Sequence, residues 1–195
     1  ATLLAAASVG FDLRADGRLA VDAQQRVLAG GEPVDGIFAL GDISSEWQLK
    51  HVANHEARIV QHNLAHPSDL IGGYPGPVPA AVFSHPQIAH FGVTEREARA
   101  AGADVVAVTQ EYRTTAYGWA LEDSTSFCKL VVDRDSGRLV GAHIIGPEAS
   151  ILIQPLVQAA SAGRSVRGLA RSQFWPHPAA TEVVENALLK AEDLL

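Results

Sequence analysis

The run Gly72-Gly73-Tyr74-Pro75-Gly76-Pro77-Val78-Pro79 constrains the fold more than any other feature of the sequence. Proline lacks a backbone N–H and restricts the residue before it, so neither a helix nor a central strand passes through such a stretch. The run reads as a linker, and the chain as two parts, 1–76 and 77–195. A length of 195 residues suits one domain, or one and a piece. With 47% hydrophobic and 19% charged residues, both parts have enough apolar surface to bury a core, which excludes an intrinsically disordered chain.

In the first part, residues 10–28 alternate apolar and polar around Asp16-Gly17, the pattern of a hairpin. Gly30-Gly31-Glu32-Pro33 marks a loop. Gly36-Ile37-Phe38-Ala39-Leu40 is an unbroken apolar run, read as a fully buried strand of the parallel-sheet type. It ends at Gly41-Asp42, where open α/β sheets bind ligands, although an aspartate there also suits a turn with an N-capping role. Residues 49–65 lack Gly and Pro and space Leu49, Val52, Ala53, Ile59, Val60 and Leu64 as a helix does. His51, His55, His62 and His66 form a stripe on that helix. His55-Glu56-Ala57-Arg58-Ile59 opens like a zinc-protease motif but ends in Ile, and no Cys lies nearby, so the stripe reads as a solvated edge and no metal site is assigned. The apolar opening Ala1 to Ala7 has no basic residue before it and is too short for a span or a signal peptide. With no initiator methionine, the chain reads as one that begins mid-protein.

The second part opens with strand signals at Ala80–Phe83 and Ile88–Val93, then a helix behind the capping box Thr94-Glu95-Arg96-Glu97. Strands are expected at Val105–Thr109, Ser126–Val132 and Leu139–Ile145. A helix follows from Pro147 to about Ala162, kinked at Pro155 and stopped by Gly163. A short helix at Val166–Ala170 and a last one from about Thr181 complete an α+β pattern.

Trp175-Pro176-His177-Pro178 holds an imidazole between two prolines, with Glu182 five residues on. A carboxylate accepting from one ring nitrogen leaves the other to exchange a proton near neutral pH. The same residues also suit a loop histidine packed by prolines, with Glu182 favouring the positive end of a helix. Cys128, among bulky apolar residues, reads as inert core. A net charge of -7 without a basic cluster argues against nucleic acid, and a single cysteine against a secreted disulfide scaffold, leaving the cytoplasm as the expected compartment.

Three segments in order resemble the carboxyl-terminal part of the flavin-dependent disulfide reductases, the family of glutathione reductase and dihydrolipoamide dehydrogenase. They are Asp35-Gly36-Ile37-Phe38-Ala39-Leu40-Gly41-Asp42, Val82-Phe83-Ser84-His85-Pro86-Gln87-Ile88-Ala89, and Phe174-Trp175-Pro176-His177-Pro178 with Glu182. His51–Arg58, Ala116–Ala120 and Gly141–Pro147 narrow the resemblance to a branch acting on the disulfide of a small thiol. The resemblance implies an α+β dimerisation domain, an antiparallel sheet with flanking helices, preceded by a fragment of the α/β FAD-binding domain. It implies that Gly41 and Asp42 hold the ribityl chain of FAD, and that Gln48, Leu49 and Lys50 face the flavin's pyrimidine side. His177 becomes the acid/base that protonates the thiolate leaving a mixed disulfide, oriented by Glu182. The implied partners are a second copy, in a homodimer whose site is shared across subunits, and a small-molecule disulfide, with neither nucleic acid nor membrane. The FAD motif, redox cysteine pair and NAD(P)H site are expected before residue 1, so the isolated chain is expected to be inactive. Dihydrolipoamide dehydrogenase, another disulfide reductase of the fold, and a stand-alone dimerisation module remain as alternatives.

Overall fold

The computed structural model describes residues 5–195. Residues 1–4 of the apolar opening lie outside the described residues, and Ala6–Val9 form a 3-10 turn. The chain divides into two compact units, one through Tyr74 and one from Pro75 to Leu195.

In the first unit, β1 (Arg26–Ala29) and β2 (Glu32–Phe38) run antiparallel, joined at Gly30-Gly31. Both glycines have positive φ, which a tight turn of this kind demands, and the Asp12 carboxylate accepts from their N–H groups at 3.0 and 2.7 Å. The Gly36–Leu40 run is therefore not a buried parallel strand. It supplies the end of β2, whose only sheet partner among the described residues is β1, and Ile37 is 37% exposed. An unbroken apolar run signals two covered faces only where neighbours exist on both sides, and this unit places a hairpin on one. The turn at Asp16-Gly17 forms, but its flanks meet only through the isolated bridge Leu13↔Leu19. Ala6, Leu19, Val27 and Ala39 make a small core.

Helix α1 (Lys50–Ala65) follows the predicted bounds, yet its buried face is Val52, Glu56, Ile59 and Asn63. Leu64 is 62% exposed. Asn63 closes the unit as a clamp: its amide N–H groups donate to Gln24 O and Ile71 O, and its carbonyl accepts from Ile71 N at 2.8 Å.

The second unit is built on an antiparallel sheet of five strands in the order β3-β4-β7-β6-β5. These are β3 (Ala80–Val82), β4 (Ile88–Gly92), β5 (Val105–Glu111), β6 (Phe127–Asp133) and β7 (Leu139–Ile145). Side chains alternate across a strand, so Ala89, Phe91, Val106, Val108, Cys128, Leu130, Ala142 and Ile144 line one face. Against that face lie α4 (Ala149–Leu152), α5 (Gln154–Ser161) and α6 (Glu182–Glu192), contributing Leu152, Leu156, Val183, Val184 and Leu188. On the other face α2 (Glu95–Ala100), with the expected capping box on Thr94 and Glu97, sets Ala98 against Val105 and Val131. The β4–β7 pairing is close because it brings Gly92 opposite Gly141; a Cβ on Gly141 would meet Val93 O at 2.0 Å.

The helix expected over 147–162 is broken rather than kinked. Glu148 takes a left-handed φ of 59°, α4 ends at Leu152, and Pro155 stands in the first turn of α5, where its missing N–H costs no bond. Gly163, with φ of 62°, ends α5 as expected. Residues 166–170 are not a helix; a 3-10 turn occupies Ala170–Ser172. Helix α3 (Ala116–Ala120), capped by the Thr115 hydroxyl accepting from Gly118 N, was not foreseen. Among the described residues no helix is long and apolar enough to cross a membrane.

Candidate functional site

His177 sits on the irregular segment that enters α6, and Glu182 is the first residue of that helix. Val183, Val184, Ala187, Leu188 and Ala191 bury one face of α6 in the sheet core, so the first turn is fixed in direction. The segment before it is tied down by Trp175, whose indole N–H donates to Ala170 O at 2.9 Å. Glu182 Oε1 accepts from His177 Nδ1 at 2.7 Å, and its Oε2 accepts from Ala179 N at 3.3 Å. A carboxylate accepts only, so Nδ1 carries the proton and Nε2 is left as the working nitrogen. The His177 side chain is 67% exposed and that of Glu182 15%. The arrangement is a held, largely exposed imidazole whose carboxylate partner lies at the positive end of a helix. Beside it, Thr181 Oγ1 is buried with no hydrogen-bond partner among the described residues.

The other predicted residues belong to the first unit. Gly41, Asp42 and Ile43 form a 3-10 turn in which Gly41 O accepts from Ser44 N and Ser45 N, at 3.0 and 2.7 Å. Gly41 has φ of 70° and packs directly on α1, where a Cβ would lie 3.5 Å from that of Ala53. Asp42 is exposed, and its carboxylate has no hydrogen-bonding partner among the described residues. Gln48, Leu49 and Lys50 lead into α1, whose N-cap Leu49 offers no side-chain acceptor. The Lys50 ammonium donates to Asn54 Oδ1 at 3.3 Å. The fold thus brings the Asp42 turn and the start of α1 together in one unit, and His177 with Glu182 in the other.

Residues 78–188 match the family described as the pyridine nucleotide-disulphide oxidoreductase dimerisation domain, more than half of the chain. The chain belongs to the pyridine nucleotide-disulphide oxidoreductases. Mycothione reductase of Mycobacterium tuberculosis is 53% identical over 97% of this chain and 41% of its own length. Dihydrolipoyl dehydrogenase of Geobacillus stearothermophilus is 35% identical over 92% of this chain and 36% of its own. Among solved structures, LpdA of M. tuberculosis superposes with a TM-score of 0.78 at 27% identity, over 93% of this chain and 38% of that one. The HOCl-induced flavoprotein disulfide reductase RclA of Escherichia coli, in its Cu(II) complex, gives 0.80 at 25% identity, over 100% and 42%. The chain spans about two-fifths of the length of these relatives. Its α+β fold is that of the oxidoreductase family's dimerisation domain.

Two residues of this oxidoreductase chain escaped sequence reasoning. Glu56 lies fully buried on α1, where its carboxylate accepts from Gly41 N at 2.6 Å and from the Tyr74 hydroxyl at 2.7 Å. Burial, and then the bond to Glu56, push the Tyr74 hydroxyl up to about 12, so it stays a donor. The readable signal was the position of Glu56 between Val52 and Ile59 on the apolar stripe. The histidine stripe has a structural use. His55 Nε2 bonds Gly73 O, His62 Nε2 bonds Asp69 O, and His66 Nδ1 bonds His62 O, with the last two rings stacked at 4.5 Å. Among the described residues no group of three or more His, Cys, Asp or Glu side chains could hold a metal ion. Cys128 is fully buried, and desolvation pushes its thiol up to about 12.

Proposed function

We propose that this chain is the carboxyl-terminal portion of an FAD-dependent, NAD(P)H-using reductase of a small-molecule disulfide, namely mycothione reductase, working as a cytoplasmic homodimer. The reading joins a fragment of the FAD-binding domain, 1–76, to the dimer-forming part, 77–195. The observation that carries it is the His177–Glu182 pair on the first turn of α6, with Nδ1 engaged and Nε2 free. The 53% identity to mycothione reductase, against 35% to a dihydrolipoyl dehydrogenase, supports the choice of substrate.

The residues of the first unit fit FAD. The start of α1 has no side-chain cap, leaving donors and a partial positive charge for an acceptor-rich ring. The Asp42 carboxylate, exposed and unpartnered, suits the hydroxyls of a ribityl chain. Gly41, Asp42, Gln48, Leu49 and Lys50 would hold the cofactor. When bound, FAD supplies two-electron transfer between nicotinamide and disulfide.

His177 moves the proton. In a thiol–disulfide exchange the departing sulfur leaves as a thiolate, and leaving is faster when a proton reaches it. His177 Nε2 delivers that proton, while the Glu182 charge keeps Nδ1–H in place and stabilises the imidazolium before transfer. Both roles need the ring direction fixed, which the second oxygen of Glu182 secures through Ala179 N. In the homodimer the exposed Nε2 serves redox cysteines carried by the partner.

The deciding experiment follows NAD(P)H oxidation by the intact protein offered mycothione, lipoamide and glutathione disulfide side by side. Preference for mycothione is expected; preference for lipoamide would move the assignment to dihydrolipoyl dehydrogenase. No turnover with any disulfide would leave only the fold in common with the family.

A further inference from the structure

Glu56 is the one charged side chain fully buried among the described residues. A carboxylate taken out of water needs partners for both oxygens, and here each has one: Gly41 N on Oε2 and the Tyr74 hydroxyl on Oε1. These two bonds join three pieces of chain that are distant in sequence: the turn after β2, the middle of α1 and the end of the loop at Tyr74. Gly41 is held at both of its backbone polar groups. Its N–H is bound by Glu56 and its carbonyl by Ser44 and Ser45, with φ of 70°. The next residue is Asp42, whose exposed carboxylate no side chain or backbone group of the described chain restrains.

We propose that Glu56 is a positioning residue for cofactor binding, acting through Gly41 to set the direction of the Asp42 carboxylate relative to the start of α1. The inference rests on the flavin reading above and adds to it a residue that touches no part of the cofactor. Without Glu56 the Gly41 N–H is buried and unpaired, and the turn must open to satisfy it. Opening moves Asp42 relative to the start of α1, so the ribityl chain and the ring of one cofactor no longer meet both groups at once.

The test uses the intact protein, stripped of flavin and titrated with FAD, with affinity read from quenching of flavin fluorescence and the site from the visible absorbance of bound flavin. Glu56→Ala is expected to weaken FAD binding about tenfold, the usual scale for leaving a buried partner of a charged group unpaired. Glu56→Gln keeps an amide oxygen for Gly41 N and an amide nitrogen for the Tyr74 oxygen, and stays within about threefold of the parent. In an Asp42→Ala background the cost of Glu56→Ala shrinks below about threefold, because residues acting as a unit are not additive. Equal cost of Glu56→Ala with and without Asp42, or a lowered melting temperature with unaltered FAD affinity, overturns the inference while leaving the flavin reading intact. Asp42→Ala with unaltered FAD affinity overturns the flavin reading itself. Should Glu56→Ala not fold, Tyr74→Phe decides. It strips the donor from the buried Oε1 of Glu56 and so loosens the carboxylate that holds Gly41 N, and a loss of about threefold that vanishes in the Asp42→Ala background is expected; no loss overturns the inference.

Discussion

Replacing Glu182 by alanine removes the acceptor that holds His177 Nδ1 at 2.7 Å and leaves the ring tied to the chain only through its own backbone. A hydrogen bond to a charged group contributes about 1.5–3 kcal/mol. His177 is 67% exposed, so water competes for Nδ1 and the lower half of that range applies. At about 1.4 kcal/mol per factor of ten, the disulfide half-reaction should slow by about 10- to 40-fold. Glu182→Gln keeps an acceptor for Nδ1–H but loses the charge that supports the imidazolium, and should fall between parent and alanine. His177→Ala removes the proton donor and should cost about 100-fold or more. The assay is anaerobic stopped-flow on the intact protein: flavin bleaching by NAD(P)H is timed first, then flavin recovery on adding the disulfide. Bleaching should be unaltered in all three variants, since neither residue belongs to the unit proposed to hold FAD. Unaltered recovery in Glu182→Ala, or equal slowing of both phases, would refute the orientation argument. A further expectation follows from the pair acting as one: Glu182→Ala should add almost nothing in a His177→Ala background.

Three other outcomes test the fold beneath this site. Gly141→Ala would put a Cβ at 2.0 Å from Val93 O, a backbone atom that cannot swing aside, and should destabilise by about 3 kcal/mol in urea unfolding; an unchanged midpoint would refute the close β4–β7 approach. Thr94→Ala removes the hydroxyl that accepts from Glu97 N and should cost about 1 kcal/mol in the same measurement. Cys128, its thiol pushed up to about 12 by burial, should stay unreactive toward a thiol reagent at pH 8 until the protein is unfolded, when labelling becomes complete. Rapid labelling of the native protein would show that β6 opens or that the core is wetter than the structure has it.

In the second unit the five strands and the first capping box were legible because their signals are local, whereas α3, the break between α4 and α5 and the absence of a helix over 166–170 were not. Thr94 and Glu97 are three residues apart and make their reciprocal bonds within one turn. The apolar runs at Ile88–Gly92 and Leu139–Ile145 mark these segments as strands, but not which side chains face the core: Ile88 is apolar and exposed, and β7 buries both Gly141 and Ala142. The first unit was harder, since its bonds are long-range: Asp12 caps glycines 18 and 19 residues away, and Glu56 reaches back 15 residues to Gly41. The run Gly36–Leu40 misled because apolar content reports how much a strand is able to bury, not how many neighbours it has. Pro155 was read as a kink, yet a proline has no fixed meaning until the start of its helix is known, and here Glu148 and Ile153 move that start. The His177–Glu182 pairing was legible in the five-residue spacing, whereas the buried carboxylate that holds Gly41 was not.

The two units solve the same physical problem in the same way. A group that must meet a ligand at a fixed angle cannot also be held by the bonds it will offer, so restraint has to come from a neighbour. Glu182 engages one oxygen with His177 Nδ1 and the other with Ala179 N, and Nε2 stays free. Glu56 engages one oxygen with Gly41 N and the other with Tyr74, and the Asp42 carboxylate stays free. In each case the carboxylate with both oxygens occupied is the less exposed partner, and the group left open is the one at the surface. Under the proposed roles, carboxylate occupancy separates the residues that orient from those that bind. On that criterion, loss of Glu56 or of Glu182 should degrade its own step gradually and leave the other step untouched, whereas loss of Asp42 or His177 should remove the contact on which that step depends.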